Sequence, residues 1–199
     1  MLLVGLSGSL GSGKSTVGRA LAARGAAVID ADRVARDVLA PASPGAQAVL
    51  DHFGGGVRRP DGSVDRQALA AIVFADPDER AALEAITHPL VHHEVRRRVA
   101  ELGDTVIVVE IPLLDAARRH QYGFDVVVLV ETSPDIAVRR ALGRGMTEAD
   151  ARARMAAQPT AAQRRQVADR TLANDGSRAD LEAAVDDLWA WLQTRRSQT

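Results

Sequence analysis

The residues best suited to chemistry stand near the start of the chain. Residues 8–15 read GSLGSGKS, which matches the G-x-x-x-x-G-K-[ST] pattern of a phosphate-binding loop, or P-loop. In such a loop the backbone N–H groups close around phosphate oxygens, and the N-terminus of the next helix adds positive charge. Lys14 would contact the β- and γ-phosphates of ATP, and the Ser15 hydroxyl would bind Mg²⁺. The motif therefore predicts a nucleotide site formed by Gly11, Ser12, Gly13, Lys14, Ser15 and Thr16.

Two carboxylates, Asp30 and Asp32, follow the apolar run 26–29. Ligands of open parallel sheets bind at the carboxyl ends of the strands, so both acids are expected at that edge. A carboxylate there can orient an attacking hydroxyl and accept its proton, and Asp32 is the favoured base. Strand alternation would make both acids face the same side, so Asp30 is a candidate for ordering magnesium-bound water. A helix N-cap role is the alternative for either residue, and for Asp30 it is compatible with the metal role.

The elements around these motifs predict an α/β fold with a parallel sheet. Continuous apolar runs separated by helical patterns are typical of strands that are covered on both faces. The predicted strands are 2–6, 26–29, 105–109, 126–130 and 170–173. The predicted helices are 14–24, 44–53, 65–74, 77–102, 134–142, 147–157 and 179–192, with a frayed tail over 194–199. The long insertion 33–103 is expected to hold a second substrate.

The composition narrows the class of protein. The chain has 199 residues, a net charge of -1, no cysteine and no apolar run near 18 residues. We expect a cytoplasmic protein with neither a nucleic-acid nor a membrane partner, and any metal must be bound by oxygen or histidine ligands. Lys14 is the single lysine among 25 basic residues, which suggests that this position requires a compact ammonium group.

A P-loop also occurs in GTPases and motor ATPases. A GTPase would need a second lysine in its guanine-reading Asn-Lys-x-Asp segment, and this chain has none. Motor ATPases generally need a larger domain or a ring of partners, so a small-molecule kinase fits better. The residues quoted so far leave the acceptor open, with a nucleoside, shikimate and gluconate among the candidates. A nucleotide-binding module without turnover is the alternative from another class.

Several segments, taken together, resemble the dephospho-coenzyme A kinase family. They are GSGKST at 11–16, VIDAD at 28–32, HPL at 88–90, PLL at 112–114, Gln158 followed by Ala168-Asp169, and NDG at 174–176. Their order covers the chain from Leu2 to about Trp191. The resemblance implies a P-loop NTPase fold of the nucleoside-monophosphate-kinase type in a single domain. Its parts would be a core (1–32, 104–138 and 168–193), a helical substrate lobe (about 33–103) and a lid (about 139–167).

The resemblance also implies an activity and roles for individual residues. The expected reaction is ATP-dependent phosphorylation of the 3′-hydroxyl of dephospho-CoA to give CoA and ADP, with ATP and Mg²⁺ as cofactors and a monomer or weak homo-oligomer as the working form. The family's base falls on Asp32, its P-loop lysine on Lys14 and a phosphate-contacting lid arginine on Arg140. Arg144 is similar in kind, and Asn174 falls on an adenine-side position.

The residues alone allow simpler interpretations of several of these positions. Arg140 and Arg144 are four apart on a predicted helix, where they could form a phosphate clamp or a solvated basic face. Asn174 begins a strong turn signal. His88 is expected to be a packing or capping residue. Pro112 could begin a helix, or its segment could shape the acceptor pocket.

Overall fold

The computed structural model describes residues 1–198, and its centre is a five-stranded parallel sheet. The strands are β1 (Leu2–Gly8), β2 (Ala27–Asp30), β3 (Val106–Glu110), β4 (Val126–Glu131) and β5 (Arg170–Ala173). Their order is β2-β3-β1-β4-β5, so the strand that precedes the P-loop is central. The predicted α/β class and parallel sheet are confirmed.

Ten α-helices accompany the sheet within residues 1–198. They are α1 (Lys14–Ala23), α2 (Ala31–Asp37), α3 (Pro44–Phe53), α4 (Arg66–Ala75), α5 (Pro77–Ala100), α6 (Ala116–Tyr122), α7 (Pro134–Leu142), α8 (Glu148–Ala156), α9 (Ala161–Gln166) and α10 (Arg178–Arg196). A short 3₁₀ turn covers Gly55–Val57. No helix within this range is both long enough and apolar enough to cross a membrane.

The chain divides into two compact units. The first contains Met1–Asp30 and the residues from Glu101 onward, and it holds the whole sheet. Its core joins alternate residues of the strands, such as Val4, Val108 and Val128, to apolar faces of α1 and α10. The intervening strand residues, Ile107 and Val127 among them, are buried as well. Burial of both faces explains why these strands appear in the sequence as unbroken apolar runs.

The second unit is the helical segment Ala31–Ala100. It nearly coincides with the insertion for which the sequence predicts a substrate lobe. Its own core is built from residues of α3, the 3₁₀ turn, the segment before α4 and α4 itself: Ala46, Val49, Leu50, Val57, Val64 and Leu69. Ser43 and Asp65 cap the N-termini of α3 and α4 with their side chains, so the helix starts follow local capping rules.

Three short helices, α2, α6 and α9, are absent from the predicted helices, although the N-cap alternative for Asp30 and Asp32 and the helix alternative for Pro112 had allowed helices near the first two. The prediction that Asp30 and Asp32 alternate along one extended segment is wrong, because the strand ends at Asp30 and α2 begins at Ala31. Pro112 does not begin a helix, since α6 starts at Ala116 after the cap Asp115. The tail predicted to fray from 194 is helical as far as Arg196. Thr199 lies outside the described residues.

Candidate active site

The P-loop connects the end of β1 to the start of α1. Gly11 and Gly13 have φ angles of 73° and 91°, in the region that favours glycine. A Cβ on Gly11 would lie 2.6 Å from the carbonyl oxygen of Ala137, and one on Gly13 would lie 2.2 Å from Nδ2 of Asn174. Gly13 is also the N-cap of α1 and has no capping side chain, which leaves the first N–H groups of this helix available to an anion.

Lys14 and Ser15 meet a buried carboxylate that the sequence reasoning missed. Glu110 ends β3 and is only 5% exposed. The Ser15 hydroxyl donates to its Oε2 at 2.9 Å, and Nζ of Lys14 lies 3.6 Å from the same oxygen. The space for the carboxylate exists because position 18 of α1 is glycine: a Cβ there would lie 2.0 Å from Oε1 of Glu110. An acid at the end of an apolar run could have signalled this residue.

These oxygen groups fit Mg²⁺. Among residues 1–198, no three His, Cys, Asp or Glu side chains form a cluster that could hold a metal ion by themselves. A magnesium ion, however, usually keeps several waters and binds one or two protein groups together with phosphate oxygens. The Ser15 hydroxyl is a group of that kind, and the Glu110 carboxylate, 2.9 Å from it, could order the waters of such an ion at the base of the P-loop. The donor set therefore suits a magnesium ion that arrives with a nucleotide.

The two predicted acids stand on different elements. Asp30 is the last residue of β2 and lies opposite Glu110 in the register of β2 and β3, so these two residues end neighbouring strands. Asp32 is exposed in the first turn of α2, where a carboxylate interacts favourably with the helix dipole. The two acids thus lie on different elements, and the roles predicted for them stay predictions.

Arg140 and Asn174 hold the P-loop from outside. Nη1 of Arg140 donates to the carbonyl oxygens of Gly11 at 3.2 Å and Ser12 at 3.5 Å, while Nη2 donates to O of Asn174 at 3.0 Å and to its Oδ1 at 3.4 Å. The amide of Asn174, which is 5% exposed, donates through Nδ2 to the Ser12 carbonyl at 2.7 Å. Carbonyls on the outside of the loop are thus satisfied by two side chains from distant elements. The predicted phosphate contact of Arg140 stays a prediction.

Arg144 lies beyond the helix that was expected to carry it. Helix α7 ends at Leu142, so Arg140 and Arg144 are not one turn apart on a helix face as predicted. They are nevertheless brought together, because both line one open cavity of about 470 Å³. This volume lies in the range of small-ligand pockets. Its lining includes five of the predicted nucleotide residues besides Arg140: Gly11, Gly13, Thr16, Arg144 and Asn174.

The segment after β3 has an unusual backbone. Leu113 has a φ angle of 54°, which is uncommon for a residue with a bulky side chain. The N–H of the next residue, Leu114, donates to the Ser7 hydroxyl of β1 at 3.2 Å. The carbonyl oxygen of Leu113 itself accepts from Nη1 of Arg118 at 3.0 Å. The segment is thus held in a defined shape beside the sheet. His88, by contrast, lies within α5, one residue before the internal Pro89.

Known proteins resemble this chain over almost its whole length. Residues 2–180 match the family described as "CoaE: Dephospho-CoA kinase". A protein of Frankia casuarinae named dephospho-CoA kinase is 50% identical over an alignment of 198 residues, and the alignment covers 98% of this chain and 86% of that protein. One of the same name from Streptomyces avermitilis is 49% identical over 200 residues, covering 100% and 97% of the two chains.

A solved structure agrees in three dimensions. The crystal structure of TT1252 from Thermus thermophilus superposes with a TM-score of 0.82 at 33% identity, and the match covers 96% of this chain and 97% of that one. The fold, the P-loop geometry and these matches agree. The chain belongs to the dephospho-CoA kinase family.

Proposed function

We propose that this protein transfers the γ-phosphoryl group of ATP to the 3′-hydroxyl of dephospho-CoA. The products are CoA and ADP, and the reaction is the last step of CoA biosynthesis. The observation that carries the proposal is the P-loop, complete with Lys14, Ser15 and a buried carboxylate, in a chain that matches the dephospho-CoA kinase family over residues 2–180. The cytoplasmic location and the monomeric or weakly self-associating state stay predictions.

ATP would bind with its phosphates in the P-loop and its nucleoside in the adjoining cavity. The open N-terminus of α1 and the ammonium of Lys14 supply positive charge for the β- and γ-phosphates. The cavity lined by Thr16, Arg144 and Asn174 continues from the same loop. A phosphate-binding loop that adjoins a cavity of this kind suits a nucleoside triphosphate better than a small monophosphate.

The two arginines would have different tasks. The guanidinium of Arg140 is occupied by carbonyl oxygens of the loop and by Asn174, so its proposed task is to position the P-loop. Asn174 shares this task, since its side-chain amide donates to Ser12. The side chain of Arg144 is exposed at the rim of the cavity, where it would contact the phosphates when the nucleotide is bound.

Asp32 is the proposed general base. Its carboxylate would accept the proton of the 3′-hydroxyl as the hydroxyl oxygen forms a bond to the γ-phosphorus. The bond between that phosphorus and the β–γ bridging oxygen breaks, and ADP leaves with the electron pair. Lys14 would stabilise the negative charge on the phosphoryl oxygens during transfer.

Mg²⁺ would be held by the Ser15 hydroxyl, with Glu110 and Asp30 ordering its bound waters. When bound, the ion offsets the negative charge of the β- and γ-phosphate oxygens. Ser15 and Lys14 both contact Oε2 of Glu110. Glu110 would therefore keep the Ser15 hydroxyl oriented, and the ammonium of Lys14 would turn from this oxygen to the phosphates when ATP binds. Asp30 has a supporting position opposite Glu110 on the neighbouring strand.

The test is ADP release from MgATP with a panel of acceptors: dephospho-CoA, adenosine, shikimate, gluconate and buffer alone. We expect stimulation by dephospho-CoA only, with phosphate on the 3′-hydroxyl of the product as identified by ³¹P NMR and mass spectrometry. The variant Lys14→Ala serves as the control for a contaminating kinase. Stimulation by another acceptor would discard this substrate and keep the mechanism. If no acceptor raises ADP release above the rate in buffer alone, a nucleotide-binding module would be favoured instead.

A further inference from the structure

Gln158 joins the segment that follows α8 to the P-loop. The backbone N–H of Leu10 donates to Oε1 of Gln158 at 3.2 Å, across 148 residues of sequence. Gln158 is itself fixed by its backbone, since its N–H donates to the carbonyl of Met155 in the last turn of α8. The amide oxygen is therefore presented to the loop by the end of a helix.

The side chain of Leu10 makes a second connection to the same region. It packs, together with Met146 and Met155, against a small apolar cluster formed by Val138, Ala141 and Ala151 of α7 and α8. The next residue, Gly11, lies directly against Ala137 of α7. Residues 10 and 11 of the P-loop thus contact α7, α8 and the segment after α8, a region that spans the end of the predicted core and the predicted lid.

The N–H of Leu10 is one backbone donor of the P-loop that is bonded to a side chain of the protein. Such a loop binds phosphate when successive N–H groups converge on the anion. The N–H of Leu10 is already donated to Gln158, while the N–H of Ser12 closes a turn onto the carbonyl of Ser9. If the Leu10 peptide were released, it could rotate and change the direction of the amides that follow.

We propose that Gln158 is a positioning residue that ties the end of α8 to the P-loop and keeps the loop ready for phosphate. This role rests on the proposed binding of ATP in that loop. Because the tether joins the loop to α8, the free energy of nucleotide binding and the position of α8 are linked, and each must influence the other. Neither Gln158 nor Leu10 would touch the reacting atoms.

Two substitutions of Gln158 distinguish the loss of its hydrogen-bond-accepting oxygen from a change in the charge of the side chain. Gln158→Met keeps the length of the side chain and removes the amide oxygen that accepts from Leu10. Gln158→Glu keeps an accepting oxygen and adds a negative charge near the phosphate site. Gln198→Met is the matched control, because Gln198 is exposed in the C-terminal segment of the described chain.

The first measurement is hydrogen–deuterium exchange of the P-loop peptide without nucleotide, together with MgADP binding by calorimetry. We expect Gln158→Met to speed exchange in residues 8–13 and to weaken MgADP binding about three- to tenfold, the effect of one lost hydrogen bond. Exchange in β4 should stay unchanged, which distinguishes loss of the tether from general destabilisation. Gln158→Glu should restore slow exchange in the loop and still bind MgADP weakly because of its charge.

The second measurement is steady-state kinetics with dephospho-CoA. Gln158→Met should raise KM for ATP by a similar factor and change kcat less, since the loop can still close around a bound nucleotide. Unaltered loop exchange and MgADP affinity in Gln158→Met would overturn the proposal. Failure of the unmodified protein to phosphorylate dephospho-CoA would instead refute the proposed acceptor, because the exchange and MgADP experiments need no acceptor.

Discussion

Replacing Gly18 by alanine tests whether Glu110 is held where the structure places it. Gly18 is buried within α1, and helix propensity alone predicts that alanine would stabilise the protein by about 0.5–1 kcal/mol. The new Cβ, however, would lie 2.0 Å from Oε1 and 2.9 Å from Cδ of Glu110. Nonbonded carbon and oxygen atoms need roughly 3 Å or more, so the carboxylate must move by about 1 Å.

That movement removes the carboxylate from its partners. A hydrogen bond to a charged group contributes about 1.5–3 kcal/mol, and the one from Ser15 to Glu110 would be lost or distorted. Subtracting the propensity gain leaves a net loss of about 0.5–2.5 kcal/mol in the free energy of unfolding. The same displacement would take Glu110 away from the proposed magnesium waters, and we expect turnover to fall about 10- to 100-fold.

The assay combines urea denaturation with coupled ADP release. Gly103→Ala is the control, since a Cβ at Gly103 would have no atom within 4 Å; it should leave turnover unchanged and should not lower the free energy of unfolding. Adding Glu110→Asp shortens the acid by one methylene, so the double variant should be destabilised less than the two single changes together. A Gly18→Ala protein that is more stable by the full propensity gain and as active as the parent would refute the reasoning.

Three further predictions concern charged groups. Asp32→Asn should lower kcat by about 10²–10⁴-fold while ATP affinity persists, and a collapse of ATP affinity with kcat retained would instead make this residue structural or metal-ordering. Lys14→Arg should lose most activity although the charge is kept, because a forked guanidinium needs more room than an ammonium, and near-normal kcat/KM for ATP would contradict this. Hydrogen bonds from Arg97 and Arg98 lower the pKa of Glu94 from 4.5 to about 2. Since the folded pKa is the lower one, the stabilisation is complete above pH 4.5 and is lost as the pH falls toward 2, so Glu94→Gln should flatten the decline of the unfolding free energy in that range.

The parts of the fold that sequence could predict are those set by neighbouring residues. The P-loop motif, the buried strands and the capped helices depend on local patterns, and α3 and β5 begin and end where those patterns predicted. Helix α2 is short and follows a strand directly, so no periodic pattern predicts it, and only the N-cap alternative for Asp30 and Asp32 pointed to a helix there. Its presence matters for chemistry, since it places Asp32 on a helix and leaves Asp30 on the strand.

The support of the P-loop could not be predicted in the same way. Glu110, Arg140 and Asn174 contact the loop across 95 to 162 residues of sequence, as β3 and β4 flank β1 and β5 pairs with β4. A resemblance to the family marked Arg140 and Asn174 as nucleotide residues, but only the geometry indicates that their side chains are occupied by the loop itself. The motif predicts which residues meet phosphate, and the order of the strands brings the side chains that hold the loop next to it.

The surroundings of Lys14 explain why this position carries a lysine. The chain has 25 lysine and arginine residues, and Lys14 is the single lysine among them. There its Nζ lies 3.6 Å from a buried carboxylate, the side chain is 13% exposed, and the same carboxylate packs so closely on Gly18 that no Cβ fits. The ammonium of a lysine is compact, whereas the guanidinium of an arginine is a planar fork that needs more room beside this carboxylate. We therefore attribute the exception at Lys14 to the shape of the site.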